Sequence, residues 1–136
     1  MNDFKKLHDG AQLLLLPNAW DAGSARLFES LGAPAIATTS AGMAWAAGYA
    51  DGDNMPADVA LAVAINMARV LTVPLSVDLE NGYSDDARVG AQAVMRLVDA
   101  GVAGINIEDG GAAPEVLAAK IVAIKSLAAR AGKDIF

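Results

Sequence analysis

One unit recurs along this chain: a short apolar run, a polar turn, and a stretch with helical spacing. The apolar runs are Leu13-Leu14-Leu15-Leu16, Ala35-Ile36-Ala37-Thr38-Thr39, Val73-Pro74-Leu75-Ser76-Val77 and Val102-Ala103-Gly104-Ile105-Asn106-Ile107. Short runs without alternation are how strands buried on both faces of a parallel sheet read. Between and after them the sequence predicts helices over 21–31, 56–71, 85–100 and 114–131. Gly32, Gly101 and Gly132 stand at the stops of the first, third and fourth. Pro56 and Pro114 open the second and fourth, Asp58 and Glu115 sit in their first turns, and Ser84 is a candidate N-cap for the third. The result is four βα units at a period of roughly 30 residues, joined by right-handed crossovers. An open doubly wound sheet and half of an eight-unit barrel of about 250 residues both fit this pattern. The tail Asp134-Ile135-Phe136 reads as the start of a fifth strand, and a half-barrel would leave two strand edges unpaired.

Composition narrows the function classes. Hydrophobic residues make up 54% of the 136 positions, enough for one domain with a real core and too many for a disordered acidic chain. The net charge of −6 argues against nucleic acid, which needs a basic patch. With no cysteine, neither a disulfide framework nor a Cys-ligated zinc site is available. The first ten residues lack the apolar core of a signal peptide, and no uninterrupted apolar stretch is long enough to span a membrane. A cytoplasmic protein without membrane contact is the expectation.

In both architectures chemistry sits where the strands end. There the sequence places Asn18, Trp20 and Asp21 after the first strand, and Thr38, Thr39, Ser40 and Gly42 after the second. A Gly-rich run from Gly48 to Asp53 then carries Asp51. Asp78, Glu80, Asn81 and Tyr83 follow the third strand, and Glu108 and Asp109 the fourth. On extended backbone Asp78 and Glu80, two apart, point to one side. Carboxylates held together repel unless a cation joins them, and Glu108 on the next strand end strengthens the case for a hard divalent ion. The bland alternative makes these acids solvated loop residues or helix caps. Thr38, Thr39, Ser40 and the backbone beside Gly42 could hold a substrate carboxylate, or could bond locally to their own turn. Trp20 and Trp45 read as packing residues, Asp85 and Asp86 as helix N-terminal acids, and His8 as a surface residue without a catalytic role. Neither a dinucleotide fingerprint, nor a Walker-type loop, nor a nucleophile elbow is present.

Taken together, Leu16-Pro17-Asn18-Ala19-Trp20-Asp21, Ala37-Thr38-Thr39-Ser40-Ala41-Gly42, Gly48-Tyr49-Ala50-Asp51-Gly52, Val77-Asp78-Leu79-Glu80-Asn81-Gly82-Tyr83 and Gly104-Ile105-Asn106-Ile107-Glu108-Asp109 resemble, in order and spacing, the isocitrate lyase / phosphoenolpyruvate mutase superfamily. The resemblance implies an α/β fold, the amino-terminal half of a (βα)8 TIM-type barrel, with residues 1–136 forming a single half-barrel that stops before strand five. It implies a metal-dependent lyase-type enzyme that cleaves or forms a C–C or C–P bond in a small 2-oxo or hydroxy acid through an enolate-like intermediate. By position, Asp78 and Glu80 match the Mg²⁺ or Mn²⁺ ligands, and Asp51 and Glu108 the catalytic acids. Trp20, Asp21, Thr38, Thr39, Ser40 and Gly42 match the substrate pocket. The stretch Gly110-Gly111-Ala112-Ala113-Pro114-Glu115 lacks the Lys-and-Cys-bearing loop of the family's lyases, which shifts the expectation away from isocitrate and methylisocitrate. The expected partners are a small carboxylate substrate and either a second copy or a missing second half. The rival readings are a non-catalytic half-barrel acting in assembly and an α/β small-molecule binding module.

Overall fold

The structure, a computed structural model, describes residues 3–10 and 12–136. The reading of the first ten residues as free of a leader rests in part on Met1 and Asn2, which lie outside them. The elements follow in the order α1 (Asp3–His8), β1 (Asn18–Ala19), α2 (Ala22–Ser30), β2 (Ile36–Thr38), α3 (Ser40–Ala46), α4 (Ala57–Val70), β3 (Leu75–Asp78), α5 (Ala87–Asp99), β4 (Gly104–Asn106) and α6 (Pro114–Arg130). The four strands are all parallel and lie in sequence order, β1-β2-β3-β4. A doubly wound sheet reverses its order at a switch point, and this sheet never does. Helices α2, α4, α5 and α6 pack each against the next along the sheet. The architecture is therefore half of a (βα)8 barrel.

Helix faces explain the packing. Leu61, Ala64 and Met67 on α4, Ala91, Val94 and Leu97 on α5, and Ile124 and Ala128 on α6 recur at three- and four-residue spacing and are all buried. They meet Ile36, Leu75 and Val77 from the strands in one core. Burial of each of the larger side chains among them, such as Leu61, Val94 or Ile124, contributes about 1.5–3 kcal/mol. A single hydrogen-bonded pair extends the sheet beyond β4: the Phe136 N–H donates to the Ala103 carbonyl (3.1 Å) and the Ile105 N–H donates to the Phe136 carbonyl (2.9 Å). This is parallel pairing, as expected for the start of a fifth strand.

Three expectations need correction. The leucine run is not the first strand: Leu13 and Leu15 are 87% and 70% exposed, and pairing begins only where the Pro17 carbonyl accepts the Ala37 N–H. An apolar run becomes a strand only where a neighbouring ladder meets it, and β2 pairs only with residues past the end of this one, Asn18 and Ala19. The segment after β2 is helix rather than loop, because the Thr39 hydroxyl caps α3 by accepting the Gly42 N–H. Ser84 does not cap α5; Asp86 does, accepting the Arg88 N–H (2.8 Å), while Ser84 Oγ accepts the Asp86 N–H.

The amino-terminal ends of the strands are closed by α1. Phe4 is buried and stacks edge-on against His8 and Phe136. Its ring fills space left by Gly104, where a Cβ would lie 2.6 Å from Phe4 Cε1. At the same end Glu29 of α2 accepts the Thr72 N–H, the Thr72 hydroxyl and the Val73 N–H, and pairs with Arg26. This ties α2 to the turn that feeds β3.

Candidate active site

The opposite, carboxyl-terminal ends of the strands carry the acids. Asp78 closes β3 and is held from three sides. Its Oδ2 accepts the Ser40 N–H (3.2 Å), and its Oδ1 accepts the Glu80 N–H (3.2 Å) and Asn106 Nδ2 (2.9 Å). Its own N–H donates to Thr38 Oγ1 (2.8 Å). Three adjacent strand ends thus converge on one carboxylate.

Glu80 reaches the same place by a route the strand pattern does not contain. Extended backbone stops at Asp78, and Glu80 lies in the left-handed region at φ 50°. A left-handed conformation in a residue with a side chain costs free energy and persists only where its surroundings enforce it. Here the Glu108 N–H donates to the Glu80 carbonyl (2.8 Å), and Glu80 Oε2 accepts the Asp53 N–H (3.1 Å). Asp53 and Tyr83 are left-handed too, at 59° and 60°. Burial first, then the neighbouring Asp53 and Asp78, pushes the Glu80 carboxyl up to about 7. Burial and the same three acids raise the Tyr83 hydroxyl.

The other sequence candidates fall in different places. Asp51 is exposed and closes its own turn, its Oδ1 accepting the Gly52 N–H and its carbonyl accepting Asn54 Nδ2. Glu108 is exposed and meets the site through its backbone. Asp21 caps α2 in a reciprocal pair with Ser24. Thr39 uses its hydroxyl locally, accepting the Gly42 N–H, whereas the Thr38 hydroxyl accepts the Asp78 N–H across the strands. Trp20 is 43% exposed and packs edge-on against Phe28, whereas Trp45 is 67% exposed on α3, so its expected packing role does not hold. Asp85 is exposed near Lys120, and His8 lies at the far end of the strands.

Two strand-end residues to which the sequence assigns no role are central. Asp53 neighbours Glu80, and Asn81 bridges the loops: its Nδ2 donates to Asp53 Oδ2 (2.7 Å) and its Oδ1 accepts the Tyr83 N–H (2.8 Å). Beside them opens a cavity of about 370 Å³ lined by Asp53, Pro56, Asn81, Tyr83, Ser84 and Asp85, among others. Nothing in the text distinguishes Asp53 from Asp51, since what separates them is a backbone angle.

A metal is the group these donors raise. Among the described residues no set of three or more His, Asp or Glu side chains is arranged to hold a cation. The donor set is nevertheless one of hard oxygens on two carboxylates, Asp78 and Glu80. That suits an ion such as Mg²⁺, which keeps several waters and takes one or two protein carboxylates, better than one needing an all-protein cage.

A singly wound parallel half-barrel with acids gathered at its carboxyl-terminal rim defines a class, and the comparisons give it a family. The family model described as phosphoenolpyruvate phosphomutase matches residues 4–136, and the chain belongs to that family. An uncharacterized protein of Mycobacterium tuberculosis is 42% identical over 126 residues, covering 90% of this chain and 47% of that protein. A candidate phosphonomutase from Burkholderia cenocepacia is 38% identical with a TM-score of 0.91, over 98% of this chain and 57% of that one. The phosphoenolpyruvate phosphomutase of Streptomyces platensis is 29% identical with a TM-score of 0.73, over 78% of this chain and 37% of its own. The chain spans about half the length of the curated relatives it matches. Among the described residues no helix is long and apolar enough to cross a membrane.

Proposed function

We propose that residues 1–136 are the metal-binding half of a lyase- or mutase-type active site that works on a small 2-oxo or hydroxy acid through an enolate-like intermediate. The observation that carries this reading is the convergence of Asp78 and Glu80 at the strand ends, with Glu80 left-handed and its carboxyl pushed up to about 7. Asp78 and Glu80 are the residues that would hold Mg²⁺ or Mn²⁺. Such an ion, when bound, polarises a substrate oxygen and offsets charge that develops there. Ser40, Asn106 and the Glu80 N–H fix the Asp78 carboxylate in one orientation, as outer partners of a ligand do. Ser40 Oγ, on the first residue of α3, would meet a substrate carboxylate, with Trp20, Asp21, Thr38, Thr39 and Gly42 shaping that side. Asp51 and Glu108 are both exposed on loops of this rim and would serve as proton-handling acids once substrate orders them.

Calorimetric titration of the 136-residue chain with Mg²⁺ and Mn²⁺ tests the reading. Wild type should bind, and Asp78→Asn should bind at least about tenfold more weakly. Folded wild type that takes up neither ion would end it.

An assembly role is the second reading, and the free edge of β1 favours it. Leu13 and Leu15 lie exposed just before that edge, and Phe136 begins a further strand at the other. A second copy or a separate half-barrel would pair with both edges. Sedimentation velocity at micromolar concentration should then show a defined dimer, and a monomer throughout would exclude self-pairing.

A further inference from the structure

Lys120 is a charged side chain in the core. It sits on α6 and is only 1% exposed. Its ammonium donates one hydrogen bond, to the Asn81 carbonyl (2.8 Å), and lies 3.8 Å from Asp85 Oδ1, a side chain that is 92% exposed. Burying an ammonium costs several kcal/mol unless close partners offset it, and an exposed carboxylate at that distance offsets little. An apolar side chain of similar length would pack the α5–α6 interface without that cost. What the ammonium reaches is therefore informative.

Its acceptor is the peptide carbonyl immediately after Glu80. Asn81 is the hub of the rim: its amide holds Asp53, its Oδ1 holds the Tyr83 N–H, and Gly110 approaches so closely that a Cβ there would lie 2.8 Å from Asn81 Cβ. On either side of Asn81 the chain is left-handed, at Glu80 and at Tyr83. These angles turn the Glu80 side chain back toward Asp53, and nothing in the intrinsic preferences of Glu or Tyr favours them.

We infer that Lys120 is a positioning residue: through the Asn81 carbonyl it holds the Asp78–Tyr83 turn in the conformation that presents Glu80 to Asp78 and Asp53. The inference rests on the proposed metal site for its consequence but not for its geometry. Lys120 touches neither ion nor substrate, and its effect passes entirely through the backbone of the turn.

The test compares wild type with Lys120→Met, which keeps the length of the stem and removes the charge, and with Lys120→Arg, which restores a donor. Native-state amide exchange is read at Gly82 and Tyr83 in the turn, and at Val94 and Ile124 in the helices. Lys120→Met should speed exchange at Gly82 and Tyr83 by about tenfold or more and leave the helix amides unchanged, with Lys120→Arg closer to wild type. Mn²⁺ affinity should fall by a similar factor in the Met variant. Unchanged turn amides, or turn and helix amides speeding together, would overturn the positioning role and leave Lys120 a packing residue. If wild type binds no Mn²⁺ the metal reading fails, while the exchange comparison still decides this one. In wild type the Lys120 ammonium should also give a slowly exchanging NMR signal with a contact to Asn81. Its absence would overturn the inference even if Lys120→Met does not fold.

Discussion

Glu29 and Glu80 are the same side chain at opposite ends of one sheet, in opposite electrostatic situations. Glu29, at the amino-terminal ends, faces only donors: two from Thr72, one from Val73 and the Arg26 guanidinium. The bonds from Thr72 lead in holding its carboxyl down at about 2. Glu80, at the carboxyl-terminal ends, is half-buried beside Asp53 and Asp78, and its carboxyl rises to about 7. The first arrangement gives up nothing that folding could use, because each donor finds its acceptor and backbone angles stay ordinary. At the second, three left-handed residues and crowded acids persist at a cost that the rest of the fold must cover. In parallel barrels the amino-terminal ends generally serve stability and the carboxyl-terminal ends chemistry, and these two glutamates lie one at each end of the half-barrel.

The comparison breaks most visibly at Glu29. Glu29→Gln removes the negative charge that four groups address, so the urea midpoint at pH 7 should fall clearly below wild type. The sign follows from the lowered carboxyl: the native state holds the ionised form more tightly than the unfolded chain does. That stability is present above the ordinary value of 4.5 and drains away as pH falls toward about 2. The gap between wild type and Glu29→Gln should therefore close over that acid range. A gap that stays constant from pH 7 to pH 2.5 would mean that shape, and not charge, makes the contact.

The same division marks what could be read in advance. The helices at 22–30, 57–70, 87–99 and 114–130 follow from apolar spacing, with glycine stops after the first, third and fourth, because both are local properties. Strand order was open from the text, since βαβ units read alike whether the sheet winds one way or both. The first strand was misplaced for a related reason: four leucines look more like a strand than Asn18-Ala19, yet only a partner ladder defines one. At the site, Asp78 was legible from its place at a strand end. Asp53, Asn81 and Lys120 were not, because their roles depend on left-handed backbone and on a contact spanning 39 residues of chain. No spacing rule carries either. Glu80 was selected for the wrong geometry, as an extended i, i+2 partner of Asp78, when a turn is what brings it near.

The smaller effect, and the sharper test of the division, lies at Glu80. Its raised carboxyl reverses the sign found at Glu29: ionising Glu80 within the fold is harder than ionising it in the unfolded chain. Wild-type stability should decline as pH rises from 4.5 to about 7 and then level off. Glu80→Gln cannot ionise, and its amide oxygen can still accept the Asp53 N–H, so the decline should flatten while the turn keeps its form. The variant should match or slightly exceed wild type at pH 7.5, the small gain reflecting a half-buried group partly screened by water. Mg²⁺ then separates a strained acid from a ligand. If the proposed site is real, millimolar Mg²⁺ should raise wild-type stability at pH 7.5 and do much less for Glu80→Gln, because only the ionised carboxylate gains a partner. Equal pH slopes in the two proteins would show that Glu80 ionises freely, and the rim would then be no costlier to build than the amino-terminal end where Glu29 sits.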